Sequence, residues 1–170
     1  SLMKMLTRII ETPLDHGNEH FQATTIAIST FDVGNLTTNV IPGTAKATFN
    51  IRFNDMHTGD FLKVWIKEQC DHISGEYDLD ISVSGESFLT PPGPLSKLIQ
   101  GAVKDVTGKV PELSTTGGTS DARFIKNHCP VAEFGMAAKT MHKVDENVVV
   151  SDIRDLADIY TKILDGYFST

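Results

Sequence analysis

Cysteine is scarce in this chain, and so is positive charge. The two cysteines, Cys70 and Cys129, lie too far apart in sequence to suggest a disulfide framework, so we expect reduced thiols in a cytoplasmic protein. Lysine and arginine number 15 against 22 acidic residues, which gives a net charge of −7, and the basic residues are scattered. Because phosphate binding requires clustered cations, this composition argues against nucleic acid as the main partner.

Long apolar runs and a signal-like N-terminus are also absent. No run approaches the roughly 20 residues of a transmembrane helix, so no membrane partner is expected. The 170 residues suffice for one large domain or two small ones with a buried core. The chain begins at Ser1 without an initiator methionine, and a helical pattern starts almost at once, so we expect a segment of a longer protein.

In the first half of the chain, the apolar residues have helical spacing in some segments and strand spacing in others. The predicted elements are helices over 2–11 and 58–73 and strands over 22–33, 46–53 and 77–85. On the second strand Ala47, Phe49, Ile51 and Phe53 share the face that we expect to be buried. Helix, strand, strand, helix, strand is the order of a ferredoxin-like β-α-β-β-α-β unit that lacks its first strand.

A linker is predicted over 88–94, because its prolines and glycine can continue neither kind of element. We therefore predict two domains, residues 1–90 and 91–170. The elements predicted in the second are a helix from Leu95 to Gly108, a short helix over 121–127, a strand over 130–135 and a helix from Asp152 with Ser151 as its N-cap. The fold class is α/β of the α+β kind, a two-layer domain followed by an incomplete α/β segment.

The most constrained stretch is 116–121, Thr-Gly-Gly-Thr-Ser-Asp, just before the predicted short helix. Its backbone N–H groups, its hydroxyls and the positive helix end suit a carboxylate or phosphate, and a plain capped turn explains the same residues. A loop, helix, strand and second loop would bring this stretch and His142 to one edge of a sheet. A serine hydrolase built on Ser120, Asp121 and His142 is disfavoured, because no nucleophile-elbow sequence surrounds the serine.

Several other polar residues allow two interpretations. Arg52, on the polar face of its strand, either faces solvent or binds an anion, and Asn39 is explained by turn conformation alone. His16 and His20 are separated by helix breakers, so a metal pair is not predicted there. His142 could be a core residue, an acid or base, or a metal ligand, but one histidine cannot hold a catalytic zinc.

Several stretches resemble the M20 family of dizinc metallopeptidases and amidohydrolases, and in particular its desuccinylases. They are TGGTSDARF at 116–124, VAEFG at 131–135 and MHKVDE at 141–146, together with NVIPG at 39–43 and NIRF at 50–53. The last two resemble the lid, or dimerisation, domain of that family. The resemblance covers essentially the whole chain in the family's order.

The resemblance implies that His142 is a zinc ligand in an enzyme that holds two zinc ions. It also implies that Asn39, Arg52, Gly118 and Thr119 contact the substrate, a small N-succinyl amino acid, and that the protein is a homodimer through its lid domain. The family's N-terminal half, which carries the other zinc ligands and the general base, is absent from this sequence. The chain alone is therefore expected to be inactive and to hold no zinc by itself.

Two residues depart from the family pattern. Ala138 and Thr38 stand where the family commonly has asparagine. The alternative function is a non-catalytic dimerisation or anion-binding module.

Overall fold

A computed structural model describes residues 1–116, 119, 121–136 and 139–169. The chain divides into two compact units, Ser1–Leu89 and Thr90–Thr170, and the division falls within the proline-rich segment. Their roles as lid and catalytic segment remain predictions. The elements are α1 (Leu2–Glu11), β1 (Thr25–Asp32), β2 (Lys46–Arg52), α2 (Gly59–Asp71), α3 (Pro94–Thr107), α4 (Ala122–Ile125) and α5 (Val150–Phe168).

The two helices of the first unit confirm the predictions for 2–11 and 58–73 to within two residues. Helix α1 ends at Thr12, whose hydroxyl donates to the carbonyl of Arg8 at 2.7 Å, and Pro13 prevents continuation. Helix α2 begins after Thr58, whose side chain accepts a hydrogen bond from the Phe61 N–H at 3.2 Å. Local capping and periodicity therefore account for both helices.

Strands β1 and β2 form an antiparallel hairpin with an irregularity at Ser29. Ile28 pairs with Phe49, and Phe31 pairs with Ala47. Three residue steps on β1 therefore correspond to only two on β2. Residues directly opposite each other share a sheet face, so the extra residue brings Phe31 to the face of Ile28. This bulge explains why the alternation in 22–33 is only partial.

The core of the first unit lies where α1 and α2 meet the hairpin. Its buried cluster consists of Met5, Ile9, Trp65, Ile66 and Cys70. Phe49 and Ile51 of β2 pack against this cluster, whereas the alternate residues of the strand are exposed. The prediction of an inward face on 46–53 is therefore confirmed, although its residues are half-buried.

The strand predicted over 77–85 is wrong, since the structure assigns no strand to this segment. Tyr77 and Ile81 do pack against the core cluster, whereas Leu79 and Val83 of the same alternation are exposed. A strand also requires a neighbouring backbone ladder, and the sheet in the described residues has only β1 and β2. The structure is consequently mixed α and β, but it does not establish a ferredoxin-like sheet.

Residues 83–86 instead lie against the start of α2. Both carboxylate oxygens of Glu86 accept from the Gly59 N–H, at 3.1 and 3.2 Å, which places a negative charge at the helix N-terminus. A methyl group at Gly59 would lie 2.8 Å from Cγ1 of Val83 and 3.0 Å from the Glu86 carboxylate. The segment can therefore approach α2 this closely only because residue 59 has no side chain.

We expect Gly59→Ala to lower the free energy of unfolding of the first unit by roughly 2 kcal/mol, because the added methyl overpacks a contact with a β-branched side chain. Gly101→Ala is the matched control, since a Cβ there meets no atom within 4 Å. Alanine is favoured over glycine within a helix, so the control should be neutral or stabilising by up to about 1 kcal/mol. Chemical denaturation measures both, and equal effects of the two variants would contradict the close approach.

The second unit is built on the packing of α3 against α5. Its buried cluster is Ala102, Val103 and Ile159. Helix α3 ends at Gly108 as predicted, and the φ of 72° there is a left-handed conformation that glycine adopts readily. Helix α5 begins at Val150, so Ser151 lies within its first turn, and the prediction of Ser151 as N-cap is wrong.

The buried face of α5 also differs from the predicted one. The helical spacing of Ile153, Leu156, Tyr160, Ile163 and Tyr167 predicts that these residues form its buried stripe, whereas Ile159 is the buried residue and both tyrosines are exposed. Tyr160 still donates from its hydroxyl to the Phe134 carbonyl at 2.8 Å. Helix α5 carries apolar residues on two adjacent faces, and the face toward α3 is the buried one.

The strand predicted over 130–135 is not present either, and the described part of the second unit contains no strand. As in the first unit, an apolar run predicts inward side chains but does not supply a ladder partner. The short helix predicted over 121–127 is confirmed as the single turn α4.

Across the described ranges, no helix combines the length and apolarity needed to cross a membrane.

Candidate functional site

The two candidate residues of the first unit lie at opposite ends of the hairpin. Arg52 is the last residue of β2 and pairs with Thr25, the first residue of β1. Asn39 lies in the loop that joins the strands beyond the Asp32–Lys46 pair. Six residue steps along β2 separate Lys46 from Arg52, which corresponds to about 20 Å of strand. Both candidate side chains are exposed.

In the second unit, Thr119 is held by two polar neighbours. Its hydroxyl donates to the Glu133 carboxylate at 3.1 Å, and its carbonyl accepts from Nη2 of Arg123 at 3.3 Å. A hydroxyl that donates to an ionised carboxylate can only accept from a further ligand. The sequence interpretation missed Glu133, and its place in VAEFG, 14 residues from Thr119, gave no local signal. Gly118 and Ser120 lie outside the described residues, as does Ala138.

The start of α4 offers little of the helix end that the predicted anion site would use. Helix α4 has only four residues, and its N-cap residue Asp121 makes no side-chain capping bond. A single turn aligns few peptide dipoles, so the helix itself provides little positive potential. The Thr119 hydroxyl already donates to Glu133, so an anion site at this loop stays a prediction.

His142 lies at the tip of a closed loop and has a left-handed backbone, with φ of 61°. Thr140 closes the loop, because its hydroxyl donates to the Asn147 carbonyl at 2.8 Å and accepts from the Asn147 N–H at 3.0 Å. Asp145 is also left-handed, with φ of 60°. Non-glycine residues rarely adopt this conformation, and they persist where the surrounding structure holds them, often at functional sites.

The exposed imidazole of His142 could serve as one metal ligand. Among the described residues, however, no group of three or more His, Cys, Asp or Glu side chains could hold a metal ion. A zinc site in a hydrolase normally takes three protein ligands and keeps one open position. The described residues therefore do not by themselves fit a complete zinc site, and His142 is one ligand at most.

A buried polar cluster that the sequence interpretation missed centres on Asp15. Its side chain is 1% exposed, and His57 Nε2 lies 3.0 Å from its Oδ2. Its Oδ1 accepts from the Gly17 N–H at 2.7 Å and from the amide of Asn54 at 2.8 Å, and Thr24 also donates to the carboxylate. Asn54 is itself buried and follows β2, while Thr24 immediately precedes β1. The Asp15 cluster thus joins both strands at the Arg52 end of the hairpin.

The surroundings of Asp15 favour its ionised form. Burial alone would raise the pKa of this carboxyl, but hydrogen bonds from Thr24, Gly17 and Asn54 outweigh burial and hold the pKa well below its usual range. The carboxylate is therefore charged at neutral pH. Part of the cluster has a sequence signal, because Asp followed by Gly two residues later is typical of a side-chain-closed turn.

Comparison with known proteins identifies the family to which this chain belongs. The sequence model described as peptidase family M20/M25/M40 matches residues 6–166, which is nearly the whole chain. The chain belongs to this family, as the motifs at 116–124 and 141–146 predicted.

The curated relatives that are similar to this chain are named succinyl-diaminopimelate desuccinylases. The chain is 53% identical to succinyl-diaminopimelate desuccinylase 1 of Ruegeria sp. (strain TM1040) over 99% of its own length and 45% of the relative. It is 54% identical to the succinyl-diaminopimelate desuccinylases of Parvibaculum lavamentivorans and Roseobacter denitrificans, with 99% of the chain covered in each case. The chain spans less than half the length of these relatives.

Proposed function

We propose that this chain is the lid domain and the C-terminal catalytic segment of a cytoplasmic dizinc amidohydrolase. The reaction is the hydrolysis of N-succinyl-LL-diaminopimelate to succinate and LL-diaminopimelate, a step of lysine biosynthesis. The observation that carries the proposal is the identity of more than 50% to desuccinylases over 99% of the chain. The fold supports the division into two units but does not test their roles.

The proposed roles follow the chemistry of the side chains. The exposed guanidinium of Arg52 suits a carboxylate of the substrate, because it can form two parallel charged hydrogen bonds. Asn39, Gly118 and Thr119 supply further polar contacts, and His142 is the one zinc ligand of the segment. The remaining ligands belong to the part of the enzyme that this sequence does not cover. The bound metal would polarise the amide carbonyl and supply a hydroxide nucleophile.

The separation of Asn39 from Arg52 supports a homodimer. About 20 Å of strand separates the two ends of the hairpin, which is longer than a small N-succinyl amino acid. If both residues contact one substrate, they belong to two copies of the chain. The exposed apolar residues of the Asn39 loop, Leu36 and Ile41, are consistent with a surface that a second copy covers.

The test joins this chain to the part of the Ruegeria desuccinylase that lies outside the alignment. The chimaera, supplied with zinc, should release succinate from N-succinyl-LL-diaminopimelate, and the 170-residue chain alone should not. The same chimaera with His142→Ala is the control and should be inactive while retaining its fold. Light scattering should give a dimer.

Two results would contradict this proposal. Succinate release at an enzymatic rate by the chain alone would require a complete metal site within it. A folded, zinc-loaded chimaera without activity would favour the alternative, a non-catalytic dimerisation or anion-binding module.

A further inference from the structure

The loop between β1 and β2 is organised by one side chain, that of Asn35. Its Nδ2 donates to the carbonyl of Thr37 at 2.9 Å and to the carbonyl of Val40 at 2.8 Å. Its Oδ1 accepts from the Thr37 N–H at 3.0 Å. Both amide hydrogens and the oxygen of Asn35 are thus used within five residues of the chain.

The two carbonyls bound by Asn35 bracket a turn at residues 38–39. Because Thr37 and Val40 are fixed to the same amide group, the residues between them have little freedom to change direction. Asn39, the candidate substrate contact of this loop, is the second of those residues. Gly34, with φ of 64°, turns the backbone into the loop just before Asn35.

Within one protomer, apolar packing does not hold this loop. Leu36 is 100% exposed and Ile41 is 92% exposed, and neither belongs to the buried cluster of the first unit. An exposed loop of 13 residues between two strands would ordinarily sample many conformations. Hydrogen bonds of the Asn35 side chain therefore order this loop, as apolar contacts order other parts of the unit.

We propose that Asn35 is a positioning residue, whose side chain fixes the turn that presents Asn39 to the substrate. The inference rests on the proposed function for the role of Asn39 but not for the ordering of the loop. A loop ordered before binding loses less entropy when substrate binds, so the expected benefit is tighter binding rather than faster chemistry.

The first measurement uses the 170-residue chain and the variant Asn35→Asp. Aspartate keeps the acceptor for the Thr37 N–H but has no hydrogens to donate to the two carbonyls. Backbone NMR order parameters of residues 36–41 should fall from values typical of ordered backbone toward those of a flexible loop, with α1 and α2 unchanged. Asn35→Ala, which adds no charge, should behave alike, and Asn50→Asp on the exposed face of β2 is the control that should leave the loop unchanged.

The second measurement compares Asn35→Asp with Asn39→Ala in the chimaera. Each should raise KM on the order of tenfold while changing kcat much less, as loss of one or two hydrogen bonds in binding implies. Unchanged order parameters in Asn35→Asp would overturn the proposal. A KM that rises in Asn39→Ala but not in Asn35→Asp would also overturn the proposal, and it would leave the proposed function intact. If neither variant raises KM in an active chimaera, both the positioning role and the assigned role of Asn39 fail, whereas the desuccinylase function remains.

Discussion

Replacing Asp15 with asparagine is expected to lower the free energy of unfolding of the first unit by about 3 kcal/mol. The carboxylate is buried and accepts hydrogen bonds from the backbone or side chains of Gly17, Thr24 and Asn54, with His57 at 3.0 Å. Asparagine keeps one oxygen but turns two hydrogens toward groups that are themselves donors. The donors at Oδ1, from Gly17, Thr24 and Asn54, would then bond to a neutral oxygen instead of a charged one, and the Oδ2 position would lose its acceptor, which together cost more than an average lost hydrogen bond.

Fluorescence reports this unfolding selectively. Trp65 is the only tryptophan of the chain and lies in the buried cluster of the first unit. The matched control is Asp55→Asn, because Asp55 makes its hydrogen bond to Asn18 at the exposed surface. The control should change stability by less than about 0.5 kcal/mol. Equal stability of the wild type and Asp15→Asn would show that the cluster contributes little.

The same substitution should change the dependence of stability on pH. The pKa of Asp15 is lower in the folded chain than in the unfolded chain, so its contribution is complete above the unfolded value of about 3.9. As pH falls below about 4, the unfolded chain binds the proton first, and the contribution is progressively lost. Urea titrations at several pH values should therefore show the difference between the wild type and Asp15→Asn shrinking below pH 4. A difference that stays constant to pH 2 would contradict the lowered pKa.

Removing the charge of Arg52 is expected to raise the KM of the chimaera for N-succinyl-LL-diaminopimelate roughly 10- to 100-fold, which corresponds to the loss of hydrogen bonds to a charged group. The suitable variant is Arg52→Met, which keeps an unbranched apolar stem. Arg52→Lys should restore only part of the affinity, because an ammonium cannot form the paired bonds of a guanidinium.

The control for Arg52 is Lys63→Met, which removes a positive charge from the exposed surface of α2 and should leave KM unchanged. Circular dichroism and Trp65 fluorescence should be the same in all three variants, since Arg52 is exposed. An unchanged KM in Arg52→Met would support the simpler interpretation in which this arginine faces water.

The features predicted well from sequence are those determined by neighbouring residues along the chain. The start of α2 at Thr58 and the end of α3 at Gly108 follow from capping chemistry. The inward face of β2 follows from alternation. The segments 77–85 and 130–135 were also alternating or apolar, but strand formation depends on a partner ladder elsewhere in the chain, which periodicity does not reveal.

The candidate site shows the same limit. Motifs indicated Asn39, Arg52 and His142, but the distance between the two ends of the hairpin that carry Asn39 and Arg52 depends on the length of β2. The contacts of Asp15 with Asn54 and His57 could not be predicted, because these partners lie about forty residues away in sequence. Such long-range polar contacts have no periodic signature. Glu133, the partner of the Thr119 hydroxyl, was missed for that reason as well.

The bulge at Ser29 also bears on how the hairpin tolerates insertions and deletions in evolution. Loss of Ala27 would place Ile26 and Ile28 on opposite faces of the sheet, whereas loss of Ser29 would leave the other pairs unchanged and yield an uninterrupted ladder. A hairpin that kept Ser29 in an uninterrupted ladder would pair Phe31 with Lys46 instead of Ala47, and Phe31 would move to the opposite face of the sheet. The bulge therefore lets β1 hold one residue more than β2 without a change of face, and homologous hairpins that lack one residue of β1 should lack it at position 29 and not between Ile26 and Ile28.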